Sequence, residues 1–407
     1  MPKLSLRLIH CLLWALICCG ACSIVQAQTY KYSILYAFKN NGTDPNYLVA
    51  PLIVDSTGNL YGTSVWGGNS NLGTVFEISK TGRLTLLYDF LGTTDGAYPL
   101  AAVVRDSKGN LYGTADGGGS SVGNCFDFGG CGTIFKLTPA GKETVLYTFD
   151  GNQGLPASSV VLDGAGNLYG TVPTSIGATG PTGPGSVYEL AANGTFNLLY
   201  QFCSLSNCAD GNFGQQGGSN DVVRDSAGNL YGETEWGGTS DLGVVYKLAP
   251  GGAESVLYNF TGPLDGNGPA GSDLIRDSQG NLYGVAGAGL GVAAGMVFKV
   301  SPAGEGIPLY TFCSLSNCAD GEYPNAQLQI DKVGNLYCST QGGGTHGCGT
   351  LFKLDAAGQE TVLSSFPCGP GLAQGATMDS NGNFYGVYAK FATGSASYGV
   401  YKLSLVK

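Results

Sequence analysis

One octapeptide limits the folds open to this chain more than any other feature. Asp55-Ser-Thr-Gly-Asn-Leu-Tyr-Gly62 recurs as Asp106–Gly113, Asp163–Gly170, Asp225–Gly232 and Asp277–Gly284, with weaker copies at Asp331–Cys338 and Asp379–Gly386. The seven copies follow one another at intervals of 48 to 62 residues. Solenoid repeats are mostly shorter, at about 20–47 residues, whereas a four-stranded propeller blade takes about 40–50. Count and period together predict a single seven-bladed β-propeller in an all-β chain.

Each unit reads as four strands. Strand A is an apolar run ending in Asp, as in Ala101–Asp106 or Ser272–Asp277. A turn follows in which the Asp bonds its own backbone and a Gly such as Gly58 takes the left-handed conformation. Strand B is Asn-Leu-Tyr-Gly-Thr, and a glycine-rich loop leads to strand C at Gly73–Ile78, Gly132–Leu137, Gly243–Leu248 and Gly349–Leu354. Strand D, for example Thr144–Phe149, sets Tyr and Phe two apart and so on one face. Composition agrees: 68 glycines and 23 tyrosines, with charged residues at 12%, suit many short strands and tight turns. The chain ends predict ring closure. A lone D strand, Tyr32–Phe38, opens the chain and a C strand, Gly399–Leu403, closes it, so the N-terminal strand completes the seventh blade and protects its edge.

This pattern, Asp-x-x-Gly-Asn-Leu-Tyr-Gly-Thr, a Gly-Gly loop, then Gly-Thr-Val-Phe-Lys-Leu, resembles the GloVer-type tandem repeat of exported bacterial proteins. The resemblance spans essentially the whole chain after its first residues and implies an extracytoplasmic propeller. It brings no established activity and no catalytic residues. Members often carry C-terminal sorting or anchoring segments; this chain stops at Lys407, directly after its last strand, and is expected to have none.

Residues 1–27 read as a secretory signal peptide, with Lys3 and Arg7 before an apolar stretch from Leu8 to about Val25. Val25-Gln26-Ala27 fits a cleavage site before Gln28; acylation at Cys22 is the alternative. Residues 28–407 would then form the propeller, secreted, periplasmic or at the cell surface. No second apolar run reaches the ~18–20 residues that span a bilayer. The net charge of −10 becomes more negative once the leader is removed, and such a chain is repelled by phosphate backbones. Nucleic acid is not an expected partner, and a monomer is expected.

Nine of the 13 cysteines lie beyond the leader. Two identical segments, Cys203-Ser-Leu-Ser-Asn-Cys208 and Cys313-Ser-Leu-Ser-Asn-Cys318, predict local disulfides in an oxidising compartment. Cys125 with Cys131 and Cys348 with Cys368 are the other expected pairs, leaving Cys338 as a free thiol where other copies carry glycine. The spacing does not suit zinc.

Functional candidates gather on the rim that holds the D-to-A and B-to-C loops, because the opposite rim is repetitive turns. Asp44, Asp95, Asp210, Asp265 and Asp320 occupy equivalent D-to-A loops. The plain reading is an Asp-Gly turn; the sharper one is a ring of oxygen ligands for Ca²⁺ or a hydroxyl-rich ligand. No segment matches a dense calcium loop, which weighs against the Ca²⁺ reading, and no other cofactor is expected. Trp66 and Trp236 occupy matching B-to-C positions where Gly117 and Gly342 stand in other blades, and they serve either to stack a ligand or to plug the rim. Beyond His10, only His346 is available, which leaves a multi-histidine metal site impossible and a serine triad improbable. The leading expectation is a non-catalytic binding propeller for a glycan or an envelope protein. The rival is a secreted carbohydrate-active enzyme, hydrolase or lyase, using rim carboxylates, with Glu233, Glu235, Asp116 and Asp241 as first candidates.

Overall fold

The computed structural model describes residues 29–119, 129–150, 154–173, 176–177, 180–181, 183–213, 221–262, 265–266, 268–269, 273–287, 294–325, 327–368, 371–372, 375–392 and 395–406. It is a seven-bladed propeller of antiparallel four-stranded sheets. Blade 1 runs Ile53–Val54, Leu60–Ser64, Thr74–Ile78 and Leu84–Asp89, in spatial order from A to D, and blades 2 to 6 repeat that order. Blade 7 takes strands A to C from Thr377–Met378, Phe384–Ala392 and Ser395–Val406, and its D strand is Thr29–Ala37. The clasp runs from Thr29 opposite Val406 to Ala37 opposite Gly399, so the first and last strands seal the ring.

Two boundaries differ from the sequence expectation. Strand A holds only two residues in each blade, for example Val104–Arg105, because the residues before it leave strand B to run along the neighbouring blade. Asp273 bridges Gln327 of the next blade in parallel fashion, which shows that departure directly. The last strand is longer than Gly399–Leu403, because its hairpin with Phe384–Ala392 continues as far as the Ala392–Ser395 pair.

The repeated residues explain the packing. The Gly of each Leu-Tyr-Gly lies opposite an aromatic residue of strand C, as Gly62 does Phe76 and Gly113 does Phe135. A Cβ on Gly113 would stand 2.7 Å from the Phe135 ring, inside van der Waals contact. Each C–D pair also carries a bulge beside that aromatic, for example between Ile134 and Phe135, which tightens the local twist. A phenylalanine at the end of strand D then meets the strand-C aromatic of the following blade. Phe38–Phe76 at 5.4 Å, Phe90–Phe135 at 5.2 Å and Phe366–Tyr401 at 5.3 Å are mostly edge-to-face pairs, and every blade junction has one. Such geometry adds about 0.5–1.5 kcal/mol per pair beyond area burial.

The turn rim is equally regular. Asp106 accepts the backbone N–H groups of Lys108 and Asn110, the Asn110 side-chain amide at 2.7 Å and the Tyr112 hydroxyl at 3.2 Å. Burial works to raise the Asp106 carboxyl, but these bonds outweigh it and hold the group below its ordinary range; the other six turn aspartates behave alike. Cations cover the Tyr rings from behind, as Arg105 does Tyr61 at 5.4 Å and Arg224 does Tyr169 at 5.2 Å.

Candidate functional site

On the opposite rim, the aspartates of the D-to-A loops turn inward. Asp210 is fully buried and accepts the Tyr200 hydroxyl at 2.7 Å, the Ser204 N–H and hydroxyl at 2.9 Å, and the Leu205 N–H at 3.2 Å. Asp320 makes the same four bonds with Tyr310, Ser314 and Leu315. Asp95 accepts from Tyr88 and Leu91, Asp265 from Tyr258 and Thr261, and Asp44 from Lys39 and Asn41. Burial opposes ionisation of Asp210 and Asp320, yet the hydrogen bonds win and both carboxyls sit below their usual range. The aspartates therefore brace each loop against the Tyr of strand D. Asp95 Oδ1 and Asp265 Oδ1 are buried and have no hydrogen-bond partner among the described residues.

The cysteines fall into a matching frame. Cys203–Cys208, Cys313–Cys318 and Cys348–Cys368 are disulfides, and Cys338 is a buried free thiol. Cys131 is disulfide-bonded, while Cys125 lies outside the described residues. The twin loops project Leu205 and Leu315, both more than half exposed, from short 3₁₀ turns at Ser206–Cys208 and Ser316–Cys318. Cys313 and Cys318 lie near Glu322, but their sulfurs are oxidised and offer no thiolate to a metal.

Aromatic rings collect on one side of the mouth. Trp66 is 41% exposed and lies 5.6 Å from Tyr98; Tyr47 is 46% exposed and lies 6.2 Å from Tyr398. These rings belong to blades 7, 1 and the connection into blade 2. Tyr47, Tyr98 and Tyr323 hold φ near +55° (54°, 56° and 54°), an uncommon conformation for a bulky side chain. Trp236, 48% exposed, has no ring partner among the described residues, and its Asn212 bridge on blade 4 matches the Asn46–Trp66 bridge of blade 1.

The other side of the channel is polar. The residue four before each turn aspartate is Pro51, Ala102, Ser159, Asp221, Asp273, Gln327 or Gly375, so blades 3 to 6 place four oxygen-bearing side chains in consecutive positions. The Ser159 N–H donates to Asp221 Oδ1 at 2.7 Å, and the Asp221 and Asp273 carboxyls are hydrogen-bonded to one another. Burial pushes Asp221 well above the ordinary carboxyl range, the Asp273 charge adds to this, and the Ser159 bonds offset part of it. Gln341 donates to Asn325, and Asn325 donates to Ser339, extending the polar wall over blade 6.

Of the carboxylates named from sequence, burial lifts Asp116 to about 7. Burial lifts Glu235 to about 7 as well, against a hydrogen bond from Trp236 that lowers it. Glu233 is fully buried on strand B of blade 4, two residues before Glu235. Asp241 accepts the Gly237 N–H at 2.9 Å and shapes its own loop. His346 sits exposed in a loop against Thr345. The Asp221–Asp273 pair escaped the sequence reading. Aligning the seven copies exposes it, since both residues stand at the same distance before the turn aspartate.

Among known proteins, the Gloeobacter/Verrucomicrobia repeat matches residues 19–218 and 180–401. No curated protein matches this sequence. Solved structures resemble the chain at low identity. A gluconolactonase from Xanthomonas campestris is 12% identical, with 95% of this chain and 94% of that one covered and a TM-score of 0.44. A protein of unknown function from Dyadobacter fermentans is 11% identical over 94% and 100% of the two chains, with a TM-score of 0.46. A luciferin-regenerating enzyme is 15% identical over 77% and 92%, with a TM-score of 0.42.

Proposed function

We propose, for a chain that belongs to the Gloeobacter/Verrucomicrobia repeat family, that the channel mouth binds a hydroxyl-rich ligand, a glycan of the cell envelope, outside the cytoplasm. The observation that carries this reading is the division of the mouth. The exposed rings of Trp66 and Tyr47, backed by the half-buried Tyr98 and the buried Tyr398, lie on one side, and the carboxyl and amide groups of blades 3 to 6 occupy the other. A sugar has apolar C–H faces that stack on rings and hydroxyl edges that hydrogen-bond to carboxylates and amides. The disulfides are compatible with an oxidising, extracytoplasmic setting, and no helix among the described residues is long and apolar enough to cross a membrane. The protein acts as a monomer in this reading.

The test is a glycan-array screen of residues 28–407, repeated with Trp66→Ala and Trp236→Ala. Loss of one aromatic platform is expected to weaken a bound glycan about 10-fold or more, the range of about 1–3 kcal/mol for a stacked ring on an aromatic side chain. Absence of binding to every glycan overturns the reading and leaves a protein ligand. A second reading, a carbohydrate-active enzyme, is favoured by the Asp221–Asp273 pair, since two carboxyls that share a proton can supply acid and base. Release of product from the same glycans, abolished by Asp221→Asn, would support it.

A further inference from the structure

Strands packed in a ring bring side chains from consecutive blades to the channel axis. Asp221 and Asp273 meet there on blades 4 and 5, with Ser159 of blade 3 and Gln327 of blade 6 on either side. Two carboxyls in contact repel unless something positive lies between them. A shared proton relieves the pair but leaves its surroundings unmet. The Gln327 Oε1 is buried and has no partner among the described residues. The hydroxyls of Tyr188 and Tyr246 are fully buried, likewise unpartnered, and both feel the Asp221 charge. Their rings extend from strand C across the strand-B glycines Gly170 and Gly232, which carries the hydroxyls toward the inner strand rather than outward.

We propose that this channel binds a divalent cation between Asp221 and Asp273, with the Gln327 carbonyl oxygen and the Ser159 hydroxyl completing an all-oxygen shell. A cation reconciles the two carboxylates and takes up the idle Gln327 oxygen in one step. The donor set selects the metal. Hard oxygens with neither histidine nor thiolate beside them favour Ca²⁺ over zinc, and Ca²⁺ tolerates the irregular geometry that four separate blades impose. The site shares the polar side of the mouth with the glycan reading but uses none of the aromatic side, so loss of glycan binding in Trp66→Ala and loss of Ca²⁺ binding in the Asp221/Asp273 variant are separate outcomes.

Isothermal titration of residues 28–407 with CaCl₂ after chelator treatment tests the proposal, paired with thermal melts. One saturable site is expected, and Ca²⁺ is expected to raise the melting temperature. Asp221→Asn/Asp273→Asn removes like charges from a packed channel, so it is expected to fold while losing at least about 100-fold in Ca²⁺ affinity. Gln327→Leu, which leaves both carboxyls in place, is expected to lose about 10-fold. Glu143→Gln, an acid on the outer strand, and Trp66→Ala are expected to bind as the wild type does. Binding that survives the double variant places the ion elsewhere and overturns the proposal, as does absence of binding at millimolar Ca²⁺ in a folded wild-type protein.

Discussion

Gly113 shows how one atom governs the spacing of two strands. Strand B passes directly beneath the Phe135 ring, and the missing side chain is what lets strands B and C pair with that ring between blades. Gly113→Ala is expected to destabilise the protein by about 1–3 kcal/mol, the usual cost of overpacking a tight core, read as a lowered midpoint of denaturant unfolding at unchanged slope. Blade 6 solves the same contact differently. Cys338 replaces the glycine opposite Phe352, and burial pushes its thiol up to about 12, so the sulfur behaves as a small apolar group. Residue types of this kind are plain in the repeat. The direction in which a side chain points is not: Asp210 and Asp320 are in the expected loops, yet Asp-Gly serves a turn and a ligand equally well in sequence. Only the Tyr200 and Tyr310 hydroxyls, donated from strand D, reveal that these carboxyls face inward.

At the scale of strands, blade 6 is held by a covalent tie that the other blades lack among the described residues. Cys348 precedes strand C and Cys368 follows strand D, so their disulfide spans a separation of 20 residues across one hairpin. In the chain-entropy account a loop of that size gives about 3 kcal/mol. The Cys348→Ser/Cys368→Ser variant is expected to lose roughly that amount in equilibrium unfolding, whereas opening the short Cys203–Cys208 loop is expected to cost less. This pairing was readable because antiparallel strands C and D must set those two ends side by side. Strand A was harder to read. Its apolar run looks like a strand up to six residues long, but ring packing keeps only two of them paired to strand B and turns the rest along the channel. That is why Asp221 and Asp273 are hard to read: alignment of the copies places them at the same position, but that they meet depends on how neighbouring blades close.

Across the whole molecule, two populations of carboxyls pull stability in opposite directions. The turn aspartates, such as Asp106 and Asp225, ionise more readily folded than unfolded, so the stability they give is present above about pH 4 and lost as pH falls through their lowered range. Glu143, Glu254 and Glu360 are raised to about 7, by burial and by the charges of Asp95, Asp210 and Asp320, and Asp116 and Glu235 are raised to about 7 as well. Between the ordinary carboxyl range and pH 7 these groups hold protons that the unfolded chain has released, so stability falls as pH rises through that window. Maximum melting temperature is therefore expected near pH 4–5 rather than at neutrality, measured by scanning calorimetry from pH 3 to 8 without added calcium. A flat profile from pH 5 to 7.5 would count against the raised set. The clasp of blade 7 bears on the molecule's history within a single lifetime. Thr29–Ala37 is among the first described segments to be synthesised, yet its partner, Ser395–Val406, is among the last. Until that strand arrives, the opening segment is a bare edge with its hydrogen bonds unspent, so the ring cannot close until Ser395–Val406 has been made.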